Sequence, residues 1–158
     1  MARDRMHLGL LLLPAFLLAP IAGNACVCEG HSLETQEQVN TEVSAALENY
    51  SAIFSGEVIE LTLLQVTFKT EHVWKGNKQA TIVLSTGRTK VSERIYSDSS
   101  CTFGFSMGKR YVVFANTSTL GLLTDKCSLT MLIEKAERVI KSLDELAEAK
   151  GKKRLTPE

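Results

Sequence analysis

Two cysteines one residue apart, Cys26 and Cys28 in the run GNACVCEGHS, follow directly on a long apolar segment. Any fold of this chain must satisfy both thiols. The only other cysteines are Cys101 and Cys127. Bonding Cys26 to Cys28 would close a very small ring. Extended i, i+2 Cα atoms stand about 6.5–7 Å apart with side chains on opposite faces. Each is therefore expected to reach a distant partner, and either long-range pairing closes loops that the chain-entropy model values at roughly 4 kcal/mol each. Both staples then begin within three residues of each other and clamp that segment onto the body of the domain. The alternatives fit less well. A redox pair usually has two spacer residues and a helix N-terminus behind it, and a four-thiol zinc site wants a second short-spaced pair.

The segment ahead of the cysteines carries Arg3 and Arg5, then an apolar run from Leu8 through Ile21, then small residues at Gly23 and Ala25. That order is a secretory signal peptide, residues 1–25, cut after Ala25. Pro14 and Pro20 interrupt the apolar run, which is short for a membrane anchor. A lipoprotein would also begin at a cysteine, but Gly23 lacks the bulky apolar side chain such a box wants. The expected mature protein starts at Cys26, is secreted, extracellular or periplasmic, and leaves the membrane after cleavage. An oxidising compartment makes an even cysteine count a disulfide count.

Of 18 basic and 18 acidic residues, cleavage removes Arg3, Arg5 and Asp4, leaving 16 against 17. Near-neutrality, with no basic patch interleaved with aromatics, argues against a nucleic-acid partner. A single domain and a monomer are expected. Apolar spacing at Val39, Val43, Ala46, Leu47 and Tyr50 predicts a first helix from Leu33, with Ser32 at the N-cap. AIFSGEVIEL (52–61) predicts a strand in which Gly56 marks a bulge or a close backbone approach. VTFKTEHVW predicts a second, with Val66, Phe68, Thr70, His72 and Trp74 on one face. ATIVLST from Ala80, VSERIYS (91–97), GKRYVVFAN (108–116) and a short run between Leu120 and Cys127 supply the rest. Five or six strands on short turns suggest a small closed or nearly closed barrel, mainly β, with flanking helices. The barrel domain is expected over 26–130 and an amphipathic helix over 131–150. That helix has an apolar stripe of Leu132, Ala136, Val139, Ile140, Leu143, Leu146 and Ala147, with Glu134–Arg138 and Glu137–Lys141 as pairs on its wet face. Residues 151–158 form a flexible tail.

Little here points to an enzyme. The sequence has no nucleophile elbow, phosphate loop or paired histidines at ligand spacing. Of the mature histidines, His72 is expected as a hydrogen-bonded barrel residue and His31 as a solvated one. Asn49 and Asn116 head glycosylation sequons.

The order Cys-x-Cys, helix, AIFSGEV, VWKG, SDSSCTFGF, GKRYVVFA and Cys127 resembles the N-terminal domain of the tissue inhibitors of metalloproteinases, a netrin-like module, over Cys26 to about Met131. It looks like a short, single-domain, bacterial-type member. The family's cysteine in the first helix and its disulfide-rich C-terminal half are missing. The resemblance implies an oligonucleotide/oligosaccharide-binding-type (OB) barrel and the pairing Cys26–Cys101 with Cys28–Cys127. It also implies that the protein is a metalloendopeptidase inhibitor with no cofactor of its own. The α-amine and carbonyl of Cys26 would chelate the catalytic zinc of a target protease. Val27 would enter the S1′ pocket, where the family usually carries Thr or Ser. Cys28, Glu29 and Gly30 would continue the inhibitory ridge, with Ser99 and Ser100 as its second strip. Non-inhibitory binding or structural modules use the same barrel, with residues preceding the Cys-x-Cys, and that is the alternative function.

Overall fold

A computed structural model describes Cys26, Cys28, Gly30, His31 and residues 33–149. Helix α1 (Gln36–Asn49) leads into β1 (Ala52–Leu61), β2 (Gln65–Lys75) and β3 (Thr81–Ser85). A small hairpin, β4 (Thr89–Lys90) with β5 (Tyr96–Ser97), comes next. Then follow β6 (Arg110–Ser118), β7 (Gly121–Leu123), β8 (Met131–Leu132), a 3₁₀ turn (Ile133–Lys135) and α2 (Glu137–Ala149).

Five strands close into a barrel in the order β1-β2-β3-β7-β6 and back to β1. The β3–β7 seam is the one parallel pairing, Leu84 beside Leu122 and Ser85 beside Leu123. Inside the barrel pack Phe54, Val58, Val66, Phe68, Val73 and Val113. Outside, Ile53, Trp74, Val112 and Phe114 meet Val39 and Val43 of α1 and Val139 and Leu143 of α2. Strands β1 and β6 are thus buried on both faces, which is why AIF and YVVFA read as continuous apolar runs rather than alternations. Trp74 also donates from Nε1 to Asp144 Oδ1 at 2.8 Å, tying α2 to the barrel wall. Lys75 reaches the other helix, donating to the Leu47 and Glu48 carbonyls at 2.7 and 3.0 Å. It supplies the positive charge that the last turn of α1 lacks.

Several expectations need correction. The first helix begins at Gln36, capped by Thr35 in a reciprocal capping box with Gln38, because Thr-x-x-Gln satisfies two backbone donors at once; Ser32 lies outside the described residues. Strand β2 does not keep one face. Its register against β1 jumps between Ser55–His72 and Gly56–Thr70, so Glu71 is an extra residue and the phase inverts. Val73 therefore enters the barrel and Trp74 the helical layer. His72 is half-buried, its ring 6.3 Å from that of Trp74. Residues 91–95 are a tight turn, with Val91 N–H bonded to the Ile95 carbonyl, and not a barrel strand. The last helix starts at Glu137 because Met131 and Leu132 first pair with Val112 and Tyr111. Leu132 consequently packs against the barrel interior rather than in the helix stripe. On the wet face Lys141 pairs with Glu145 at 3.8 Å, and Arg138 turns instead to the Glu34 carbonyl at 2.7 Å.

Gly56 answers the expectation of a close approach. A Cβ there would stand 2.6 Å from the Lys69 carbonyl oxygen, a backbone atom that cannot swing away. Gly56→Ala should destabilise the protein by about 1–3 kcal/mol, as overpacking does. Urea unfolding would show this as a lower midpoint at unchanged slope, and an unchanged midpoint would contradict the packing described.

Candidate functional site

The candidate site lies where the cysteines meet. Cys26 is bonded to Cys101 and Cys28 to Cys127, with Cα–Cα separations of 5.1 Å in both. The sequence separations are 75 and 99 residues. The two bonds lie side by side. Cys26 Sγ is 3.5 Å from Cys127 Sγ, and the sulfurs of Cys26, Cys28 and Cys127 fall within 4.8 Å of one another. All four thiols are consumed in these bonds, so the cluster offers no thiolate to a metal while both are intact. Cys26 and Cys28 do not pair with each other, as their extended spacing implied.

Each partner cysteine sits on a loop that the barrel holds rigid. The loop carrying Cys101 is organised by Asp98. Its Oδ1 accepts from Thr102 Oγ1 at 2.6 Å and Ser99 N–H at 2.9 Å, and its Oδ2 accepts from Arg88 Nε at 2.9 Å. The Thr102 hydroxyl, and then Arg88, hold the Asp98 carboxyl below the usual carboxylate range. Cys101 N–H donates to Ser99 Oγ at 3.2 Å, and Lys126 Nζ donates to the Ser100 carbonyl at 2.9 Å. Beyond Cys101, Phe103 and Phe105 meet Tyr111 edge-on and each other at a tilt, and pack against the barrel interior. Ser99 and Ser100 remain exposed at the tip of the turn.

The loop carrying Cys127 solves a backbone problem. One edge of β6 pairs with β8 at Tyr111–Val112 and with β7 at Asn116–Ser118, which leaves a gap between them. At that gap Phe114 N–H donates to Thr130 Oγ1 at 3.0 Å, and the Phe114 carbonyl accepts from Thr124 Oγ1 at 2.7 Å. Two buried hydroxyls, themselves 2.8 Å apart, stand in for a missing strand. Between them the chain bulges out through Asp125 to Ser128. Asp125 Oδ1 accepts from Cys127 N–H at 2.8 Å, and Lys126 N–H closes on the Cys101 carbonyl at 2.9 Å. The two cysteine loops are therefore joined before either sulfur is counted.

His31 is exposed, as expected, but both of its ring nitrogens have protein partners. Its Nδ1 lies 2.7 Å from Glu42 Oε2 on α1, and its Nε2 lies 2.8 Å from the Cys127 carbonyl. Asn116 accepts on Oδ1 from Ser51 N–H at 3.0 Å, joining the α1–β1 junction to β6. Of the ridge residues, Cys26, Cys28, Gly30, Ser99 and Ser100 are brought to one end of the barrel. Gly30 is exposed, and a Cβ there would meet nothing within 4 Å. Val27, Glu29 and the cleavage site after Ala25 lie outside the described residues. Among the described residues no helix is long and apolar enough to cross a membrane, and both disulfides are compatible with an exported protein. Sequence reasoning missed Thr124, Thr130, Asp98 and His31. Of these, only Asp98 carried a local signal, its Asp-Ser-Ser turn composition.

Thr130→Val should strand the buried Phe114 N–H and cost about 1–3 kcal/mol. Thermal unfolding would report it as a lower midpoint, and amide exchange at Phe114 as lost protection; wild-type protection there in the variant would contradict the assigned role. No protein-family model matches this chain, and no curated protein sequence does either.

Proposed function

We propose that this chain is a secreted metalloendopeptidase inhibitor of the netrin-like kind that the tissue inhibitors of metalloproteinases exemplify. The observation that carries the reading is the pair of bonds from Cys26 and Cys28 to two braced loops. They lay the N-terminal segment beside the exposed Ser99–Ser100 turn at one end of the barrel. Strand order supports it too. A first strand flanked by the second and fourth barrel strands, with a parallel seam between the third and fifth, suits the OB-type barrel that the resemblance implies.

The mechanism needs no chemistry from the inhibitor beyond a lone pair and a carbonyl. Signal cleavage after Ala25 would leave the α-amine of Cys26 free. A catalytic zinc keeps a position open for water, and an N–Cα–C=O unit closes a five-membered ring on it. An α-amine titrates near 7.7–8.0, so shedding its proton at neutral pH costs only about 1 kcal/mol. The staples order the chelator before it meets the metal, which reduces the entropy lost on association. Val27 fills an S1′ pocket with threonine's shape but no hydroxyl. The partner is thus a zinc endopeptidase, and zinc is shared with that target rather than held by this chain.

Placing one alanine ahead of Cys26 in the mature protein tests this reading. Against a panel of zinc endopeptidases, the native terminus should inhibit at least one. The extended form should lose inhibition by two orders of magnitude or more, as expected where a metal ligand is removed, with its unfolding midpoint unchanged. Equal inhibition by both forms would refute zinc chelation. No inhibition by either would favour a binding or structural module.

A further inference from the structure

We infer that His31 is a positioning residue for the ridge, a doubly donating strut that ties the Cys28–His31 segment to α1 and to the Cys127 loop, so that the ridge loosens as pH rises. The consequence for inhibition rests on the function proposed above; the strut itself rests on geometry alone.

The geometry is a closed circuit. Cys28 is held to Cys127 through sulfur, and three residues later His31 grips the carbonyl of that same Cys127 at 2.8 Å. The four-residue segment is thereby pinned at both ends to one residue, and Glu42 Oε2, 2.7 Å away, fixes the other side of the ring to α1. A backbone carbonyl and a carboxylate are both acceptors, so both ring nitrogens must donate, and only the imidazolium has two N–H groups. Neutral imidazole must turn a lone pair toward one of the two oxygens and give up that contact.

The groups facing this ring agree. Glu42 of α1 bonds to the ring; Tyr50 at the end of the same helix, Asn116 of β6 and Leu129 line the same pocket, and Asp125, from the loop leading to Cys127, acts on the Tyr50 phenol. Burial acts on His31 against the charged form, but the Cys127 carbonyl and the Glu42 carboxylate outweigh it, and the pKa lies above the ordinary 6.5. Burial, then Asp125 and Glu42, raise the Tyr50 phenol as well, so it stays neutral where His31 titrates. Because the folded pKa is raised, the strut contributes in full below about pH 6.5. That contribution is lost as pH climbs through the folded value. The Cys26 α-amine runs the other way, since it must lose its proton to bind zinc, and the two slopes are separable by comparing variants.

The experiment uses the mature, disulfide-bonded chain as wild type, His31→Gln and Glu42→Gln. Imidazole titration and amide exchange across residues 28–33 are followed by NMR from pH 5 to 9. In the wild type the His31 ring should titrate above the ordinary value. Protection of the segment, corrected for intrinsic exchange, should fall about tenfold through that titration, as loss of one charge-assisted hydrogen bond gives. Glu42→Gln should move the step to lower pH, and His31→Gln should abolish it. Against a protease the wild type inhibits, His31→Gln should weaken inhibition about tenfold at pH 6 and by far less at pH 8.5. A ring titrating at or below the ordinary value, or a protection step that survives in His31→Gln, overturns the strut. Should His31→Gln fail to fold, the wild-type ring and Glu42→Gln still decide. Because the NMR readouts need no protease, wild type without inhibitory activity would count against the proposed function while leaving the strut to its own test.

Discussion

Two sulfur–sulfur bonds, from Cys26 to Cys101 and from Cys28 to Cys127, hold those two neighbouring cysteines to two loops of the barrel. The domain has a core of its own, with Phe54, Phe68 and Leu84 inside the barrel and Val39, Val43 and Leu143 under the helices. The staples do something the core cannot. Ordering a segment costs conformational entropy, and covalent closure at Cys26 and Cys28 removes part of that freedom from the outset. Everything proposed for function presupposes this ordering.

The body of the fold is arranged to make the anchor points rigid. Cys101 lies between an aspartate-organised turn and a pair of phenylalanines that pack against the barrel interior. Cys127 lies on a loop whose roots are the hydroxyls of Thr124 and Thr130, bonded to the main chain of Phe114 in the middle of β6. Strand β6 is also where the barrel interior and the helical layer share a wall, through Val113 on one face and Phe114 on the other. A disturbance at the Cys127 loop is therefore resisted by a strand that is buried from Tyr111 to Ala115. That is a direct mechanical path from the core to the paired disulfides.

Much of this was legible in the residues and some was not, for reasons that differ. Long strands with apolar runs declared themselves: β1 spans the residues expected, and its first half, Ala52 to Gly56, is buried on both faces. The pairing of cysteines followed from the resemblance, since spacing alone left it open. The inverted phase at Trp74 was hidden, because a bulge at Glu71 is a property of two strands in register and not of one. VSERIYS has strand composition, yet Val91 and Ile95 stay exposed in a turn that no neighbour covers. His31 is a surface residue whose two partners were hidden because they stand 11 and 96 positions away in the chain. The threonine hydroxyls matter only because β7 and β8 leave a gap along β6, and no local pattern foretells a gap.

The central claim is that a primary amine and its own carbonyl, held ready by the staples, bind the metal of another protein. The most direct measurement uses a susceptible zinc endopeptidase carrying cobalt in place of zinc, and follows its visible absorption bands as mature inhibitor is added. Chelation by the Cys26 terminus predicts a change in band position and intensity that saturates with inhibition, and that disappears when the α-amine is acetylated. Full inhibition with the cobalt spectrum unchanged would show that the protease is blocked without any contact to its metal, and would contradict the claim.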